Sequence, residues 1–65
     1  MKMTVRELNR DQLIELKGRY IDDRNAEKGE GTSYQEYAEA DYLVSDEEIF
    51  TAYDGTEFVE DDFLS

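Results

Sequence analysis

All seven basic residues of this chain fall within its first 28 positions, and no base follows them. Residues 1–28 hold Lys2, Arg6, Arg10, Lys17, Arg19, Arg24 and Lys28 beside six acids, a net charge of +1. The remaining 37 residues hold twelve acids and no base, a net charge of -12. Unpaired carboxylates are costly to bury, so a fold made from this chain must leave much of its second segment in water. A solvated surface accounts for the excess of acid. It accounts less readily for the complete absence of Lys and Arg over 37 residues.

The sum over the chain is a net charge of -11 and a sequence pI near 4.1, which excludes direct nucleic-acid binding through a basic face. At 65 residues the chain has room for one small domain, a size class that often needs a disulfide, a metal or a partner as a staple. It has no Cys, His or Pro. Leu, Ile, Val and Phe number 14 of 65, just above the ~20% below which highly charged chains stay disordered, and five Tyr tip the balance toward a core. No apolar run follows the N-terminus, so the sequence predicts neither a secretory signal nor a membrane span, and a cytoplasmic location by default.

Four capping patterns punctuate the chain. Thr4 with Glu7 and Asn9 with Gln12 compete to open the first helix, read here as residues 10–27 with Leu13, Ile14, Leu16, Tyr20 and Ile21 on one apolar stripe. Val5 and Leu8 precede the cap and could fold back on its first turns. Glu27 to Thr32 carries two glycines and no apolar residue, which marks a loop. Ser33 to Glu36 is a full capping box for a short helix reaching Ala40. Ser45 to Glu48 is another, opening a helix with Ile49, Phe50 and Tyr53 that ends at Gly55. The rival for this segment is a hairpin turning at Asp54-Gly55. The box and the adjacent Ile49-Phe50 pair, which breaks strand alternation, favour the helix. The predicted class is therefore all-α: a single domain over residues 1–65 with one long N-terminal helix, two short ones and an extended aromatic strap at the C-terminus. The alternative is α+β with the Asp54-Gly55 hairpin. Residues 57–65 read either as that strap, packing Phe58 and Phe63 on the helices, or as a loosely ordered tail.

Catalysis has little to work with. Without His or Cys there is no triad and no thiol nucleophile, Ser33 and Ser45 are read as caps, and paired carboxylates lack a cleft at this length. No catalytic residue, cofactor or metal ligand is assigned. Aligning Gly55 or Gly31 with the glycine of an EF-hand loop puts Phe50 or Ala26 at the first ligand position, where an acid is needed. Glu60-Asp61-Asp62 or Asp46-Glu47-Glu48 would hold Ca or Mg weakly at best. Asp46, Glu47 and Glu48 also suit the positive pole of the helix they open.

The sharper reading takes Glu36, Glu39, Asp41, Asp46, Glu47, Glu48, Asp54 and Glu57 as one acidic face interleaved with Tyr34, Tyr37, Tyr42 and Tyr53, with Phe58 as a further anchor. Helical carboxylates three or four residues apart lie about 5–6 Å from one another, comparable to phosphates along a duplex edge. Such a face can occupy a groove built for nucleic acid. Each Tyr taken alone reads rather as core, because a chain this poor in Leu and Ile needs them inside.

The runs Thr4-Val5-Arg6-Glu7-Leu8-Asn9-Arg10-Asp11-Gln12-Leu13, Leu16-Lys17, Val44-Ser45-Asp46-Glu47-Glu48-Ile49-Phe50 and Tyr53 to Phe63 resemble small, uncharacterised acidic proteins of gut Firmicutes and their phages or mobile elements. The likeness spans most of the chain. It implies a bacterial, mobile-element origin and no activity. In size and charge alone the chain also resembles phage-encoded DNA mimics and anti-CRISPR proteins, a likeness that transfers no residue. The expected function is a non-enzymatic module whose acidic half docks on a basic protein surface, plausibly that of a nucleic-acid-binding protein. The alternatives are a folding-on-binding accessory subunit using Phe58, Phe63 and Leu64, or a weak divalent-cation binder. The sequence does not set the oligomeric state.

Overall fold

A computed structural model describes residues 1–63 of the chain. Strand β1 (Lys2–Thr4) leads into a 3-10 turn (Val5–Glu7) and then the 18-residue helix α1 (Arg10–Glu27). Three short helices follow, α2 (Tyr34–Ala38), α3 (Ala40–Leu43) and α4 (Asp46–Ala52). Strand β2 (Glu57–Val59) and a second 3-10 turn (Glu60–Asp62) close the chain.

Local chemistry explains most of these boundaries. The Thr4 N–H donates to Glu7 Oε1 at 2.8 Å and holds the first turn. At α1, Gln12 N–H donates to Asn9 Oδ1 at 2.8 Å and the Gln12 side chain accepts from Asn9 N–H at 3.0 Å, so two orphan donors are satisfied reciprocally. Ser33 and Glu36 do the same for α2. At α4 only half of the box forms: Ser45 Oγ accepts from Glu48 N–H at 3.1 Å, while the Glu48 carboxylate turns to Arg24, 3.7 Å away. Asp62 accepts from Val59 N–H at 2.9 Å and tightens the last turn.

The prediction of a purely helical chain is corrected at both ends. β1 and β2 pair antiparallel, with Met3 opposite Phe58, and this sheet places residues 57–59 where a strap or a loose tail was expected. The helical segment after Ser33 is divided in two, because Glu39 departs from helical geometry at φ -100° and ψ 8°. The hairpin at Asp54-Gly55 does not form. The segment is helix α4, and Gly55 takes φ 81° just after it, the left-handed conformation of a helix C-cap that a side chain would strain.

The core gathers Val5, Leu13, Leu16, Ile21, Ala40, Val44, Ile49, Phe58 and Phe63, drawn from the first 3-10 turn, α1, α3, α4, β2 and the residues that follow α3 and the last 3-10 turn. Val44, just before the Ser45 cap, and Ile49 are both wholly buried. Tyr20, Tyr53, Phe58 and Phe63 form a chain of tilted ring contacts with centroids 5.7–6.3 Å apart, which ties α1 and α4 to β2. Gly18 lets α2 approach: a Cβ there would stand 3.3 Å from Tyr37 Cδ1. That packing offsets the ~1 kcal/mol helix penalty of an interior glycine.

Candidate functional site

The two charge segments fold onto each other. Of the seven ion pairs among the described residues, six join a base of residues 1–28 to an acid beyond them; the seventh, Arg19 to Glu15, lies within α1. At the centre of this seam is Lys17, whose side chain is 1% exposed. Its ammonium lies 2.8 Å from Asp41 Oδ1 and 2.7 Å from Asp46 Oδ1, so α1 is pinned to α3 and α4 by one cation. Arg10 reaches the same carboxylates from outside, 3.1 Å from Asp46 and 3.6 Å from Asp41.

Burial pulls the Lys17 pKa down, but the hydrogen bonds and charges of Asp41 and Asp46 outweigh it, and the ammonium holds its proton above the ordinary 10.5. The Lys17 hydrogen bond in turn, with the charges of Lys17 and Arg10, holds the Asp41 carboxyl below its usual range. Lys17 therefore stays charged at neutral pH and is no candidate base or nucleophile. The second buried polar residue, Asn25, donates to Thr32 Oγ1 at 3.2 Å and Glu36 Oε2 at 3.1 Å, which docks the loop and α2 on the end of α1. Glu36 titrates below its usual value because the Ser33 backbone N–H, and then Asn25, donate to it.

Sequence reasoning missed both Lys17 and Asn25. The signal was present: Leu13, Lys17, Ile21 and Asn25 succeed one another every fourth residue, so both lie on the buried stripe of α1.

The expected acidic face is split by this arrangement. Asp41 and Asp46 serve Lys17 and Arg10, Glu48 pairs with Arg24, Glu57 lies 3.2 Å from Lys2 across the sheet, and Glu36 caps α2. The Glu39 carboxylate accepts from Gln35 and pairs with no base among the described residues. Glu47 and Asp54 are exposed and engage no base among the described residues. Of the aromatic anchors, Tyr34 is 89% exposed, Tyr53 is half-buried against Tyr20 and Phe58, and Phe58 is in the core. Phe58 is thereby corrected from partner contact to core residue: opposite Met3 on the inward side of the sheet, it is shielded from any partner. Tyr42, read as core or interface, is 92% exposed, and Tyr37 is partly exposed beside Gly18.

The bases are nearly all occupied within the molecule. Five form ion pairs, and a sixth, Arg6, lies 4.8 Å from the Phe50 ring centroid. Thirteen of the eighteen acids stand outside any ion pair among the described residues. One is in a place the sequence did not suggest: Asp11 of α1 lines a groove together with Glu60, Asp61 and Phe63, beside the Glu15 that pairs with Arg19.

The acidic triplets are dispersed. Asp62 turns to Val59 N–H, and Asp46 and Glu48 to different bases. Among the described residues no three acids gather as a metal site, and no helix is long and apolar enough to cross a membrane. No protein-family model, curated protein or solved structure matches the chain.

Proposed function

We propose that the protein is a non-enzymatic acidic binding module that docks on a basic protein surface and occludes it, in the manner of a nucleic-acid mimic. The observation that supports this reading is the use of the bases. The fold engages six of its seven Lys and Arg side chains internally, so the charge left unpaired is overwhelmingly acidic. Such a field steers a basic partner, accelerates association and weakens with salt.

Within the face drawn from the sequence, the contacts belong to Glu39, Glu47 and Asp54 with Tyr34, because Asp41 and Asp46 are engaged by Lys17. The partner is a nucleic-acid-binding protein of the bacterial cytoplasm, and the chain belongs to a phage or mobile element. The accessory-subunit reading loses its main anchors: Phe58 and Phe63 are buried, and Leu64 lies outside the described residues.

The test is capture from bacterial lysate on immobilised protein, with salt-gradient elution and with DNA as competitor. The reading expects a discrete nucleic-acid-binding protein, released at moderate salt, displaced by DNA and retained less by Glu47→Lys. A partner that resists salt and ignores DNA would contradict it.

A further inference from the structure

Of the three close arginine–aromatic contacts among the described residues, two join the two charge segments and the third lies within α1. Arg6 covers Phe50, Arg19 covers Phe63 with its guanidinium also bonded to the Asp62 carbonyl, and Arg24 covers Tyr20. The rings of α2 and α3 are left out of this scheme. Tyr34 and Tyr42 are 89% and 92% exposed, and Leu43, next to Tyr42 in sequence, is half exposed. No arginine of the chain covers either ring, and neither side chain makes a hydrogen bond among the described residues. For a chain with so few large apolar residues, leaving two tyrosines outside the core forgoes stabilisation that the core could use.

Resting on the acidic-module reading, we infer that Tyr34 and Tyr42 are the specificity contacts of the module and that they receive arginine side chains of the partner, each guanidinium stacking on a ring while Glu39, which no base engages among the described residues, adds the neutralising charge. Charge complementarity selects this occupant. The α2–α3 segment carries acids and no base. Arginine is the cation that stacks on an aromatic face and pairs with a carboxylate at once, where lysine remains a hydrated point charge. A second copy of this chain is a poor occupant: each copy carries -11, and its arginines are already engaged.

The probe is a nine-residue oligoarginine peptide beside a matched oligolysine, titrated into the full chain at low salt and read by the NMR signals of the tyrosine ring protons. The inference expects the Tyr34 and Tyr42 rings to shift with oligoarginine and oligoarginine to bind more tightly than oligolysine. A stacked guanidinium changes affinity ~2–5-fold per ring. The Tyr34→Ala/Tyr42→Ala double variant should therefore lose about four-fold or more toward oligoarginine and little toward oligolysine. The matching double Phe variant should retain its affinity. Both substituted positions are exposed, and circular dichroism verifies the fold.

If both peptides bind and salt releases them, but the double Ala variant binds oligoarginine as well as the parent does, the inference is overturned and the acidic reading stands. If neither peptide binds at low salt, the acidic reading itself fails. Concentration-dependent broadening of the Tyr34 and Tyr42 signals without peptide, abolished in the double variant, would make a second copy the occupant and overturn the assignment to an arginine-bearing partner.

Discussion

Asp41 and Glu47 lie six residues apart in the same base-free segment, and the fold puts them to opposite uses. Asp41, with Asp46, faces α1 and closes on Lys17 and Arg10; Glu47, one residue beyond Asp46 on α4, faces solvent with no base near it. What separates them is whether a base from residues 1–28 reaches them. The inward acids hold the elements together, and the outward ones are left for a partner.

The comparison breaks most visibly if the inward acids are removed. In Asp41→Ala/Asp46→Ala the Lys17 ammonium keeps its burial and loses its counter-charges, a loss of about 3–5 kcal/mol for a buried charge left unpaired. That is comparable to the whole stability of a domain this size, about 3–10 kcal/mol. Urea unfolding should find the variant largely unfolded. Lys17→Met removes the charge along with its desolvation penalty and should stay folded within about 1 kcal/mol of the parent, because the carboxylates it leaves behind are not buried and both keep Arg10 as a counter-charge. The asymmetry between the two variants is the signature of a buried cation held by its acids.

Caps come next, since they act without regard to which way an acid faces. Asn9→Ala removes the side-chain acceptor for Gln12 N–H and should cost about 1 kcal/mol in the same assay.

The pH dependence separates the seam from the surface. Lys17 holds its proton above 10.5, and Tyr20 and Tyr53 hold theirs above 10.0, the first because it donates to Glu48 and the second because it is desolvated. The folded state thus binds more protons than the unfolded one at alkaline pH. These contributions are complete below pH about 10 and are lost as pH rises through the raised values. Asp41 and Glu36 act in the opposite direction: their pKa values are lowered from 3.8 and 4.5, so their contributions are complete above those values and are lost on acidification. Thermal melts from pH 8 to 11.5 should show falling stability above pH 10, with part of the fall absent in Lys17→Met.

The smallest effect on stability belongs to the outward acid. Glu47→Lys should unfold within about 0.5 kcal/mol of the parent, as exposed substitutions do, while its retention of the basic partner drops. Glu48→Lys should not be so benign, because Glu48 pairs with Arg24 and accepts from Tyr20.

The local part of this architecture was readable from the sequence. The caps at Thr4, Asn9, Ser33 and Ser45 depend on residues three apart, and those pairs meet as their spacing implied, reciprocally at Asn9 and Ser33 and by one bond of the box at Ser45. The sheet was not readable. Its strands are three residues long and pair Lys2–Thr4 with Glu57–Val59 across nearly the whole chain, with no turn between them to announce the pairing. Asp54-Gly55, the one visible turn signal, serves a helix end instead. The seam was half readable: charge segregation was plain, but Lys17 entered only as one of seven bases, although its position on the stripe of Leu13 and Ile21 places it inside. Which tyrosines stay out of the core was not readable, because burial there depends on the break at Glu39 and on the seat that Gly18 offers Tyr37.

The most direct measurement follows the carboxyl carbon signals of every Asp and Glu by NMR while oligoarginine is added at low salt. The account predicts that Glu39, Glu47 and Asp54 move while Asp41 and Asp46, held by Lys17, stay in place. Equal or larger movement at Asp41 and Asp46 would contradict the division between inward and outward acids on which the proposed function rests.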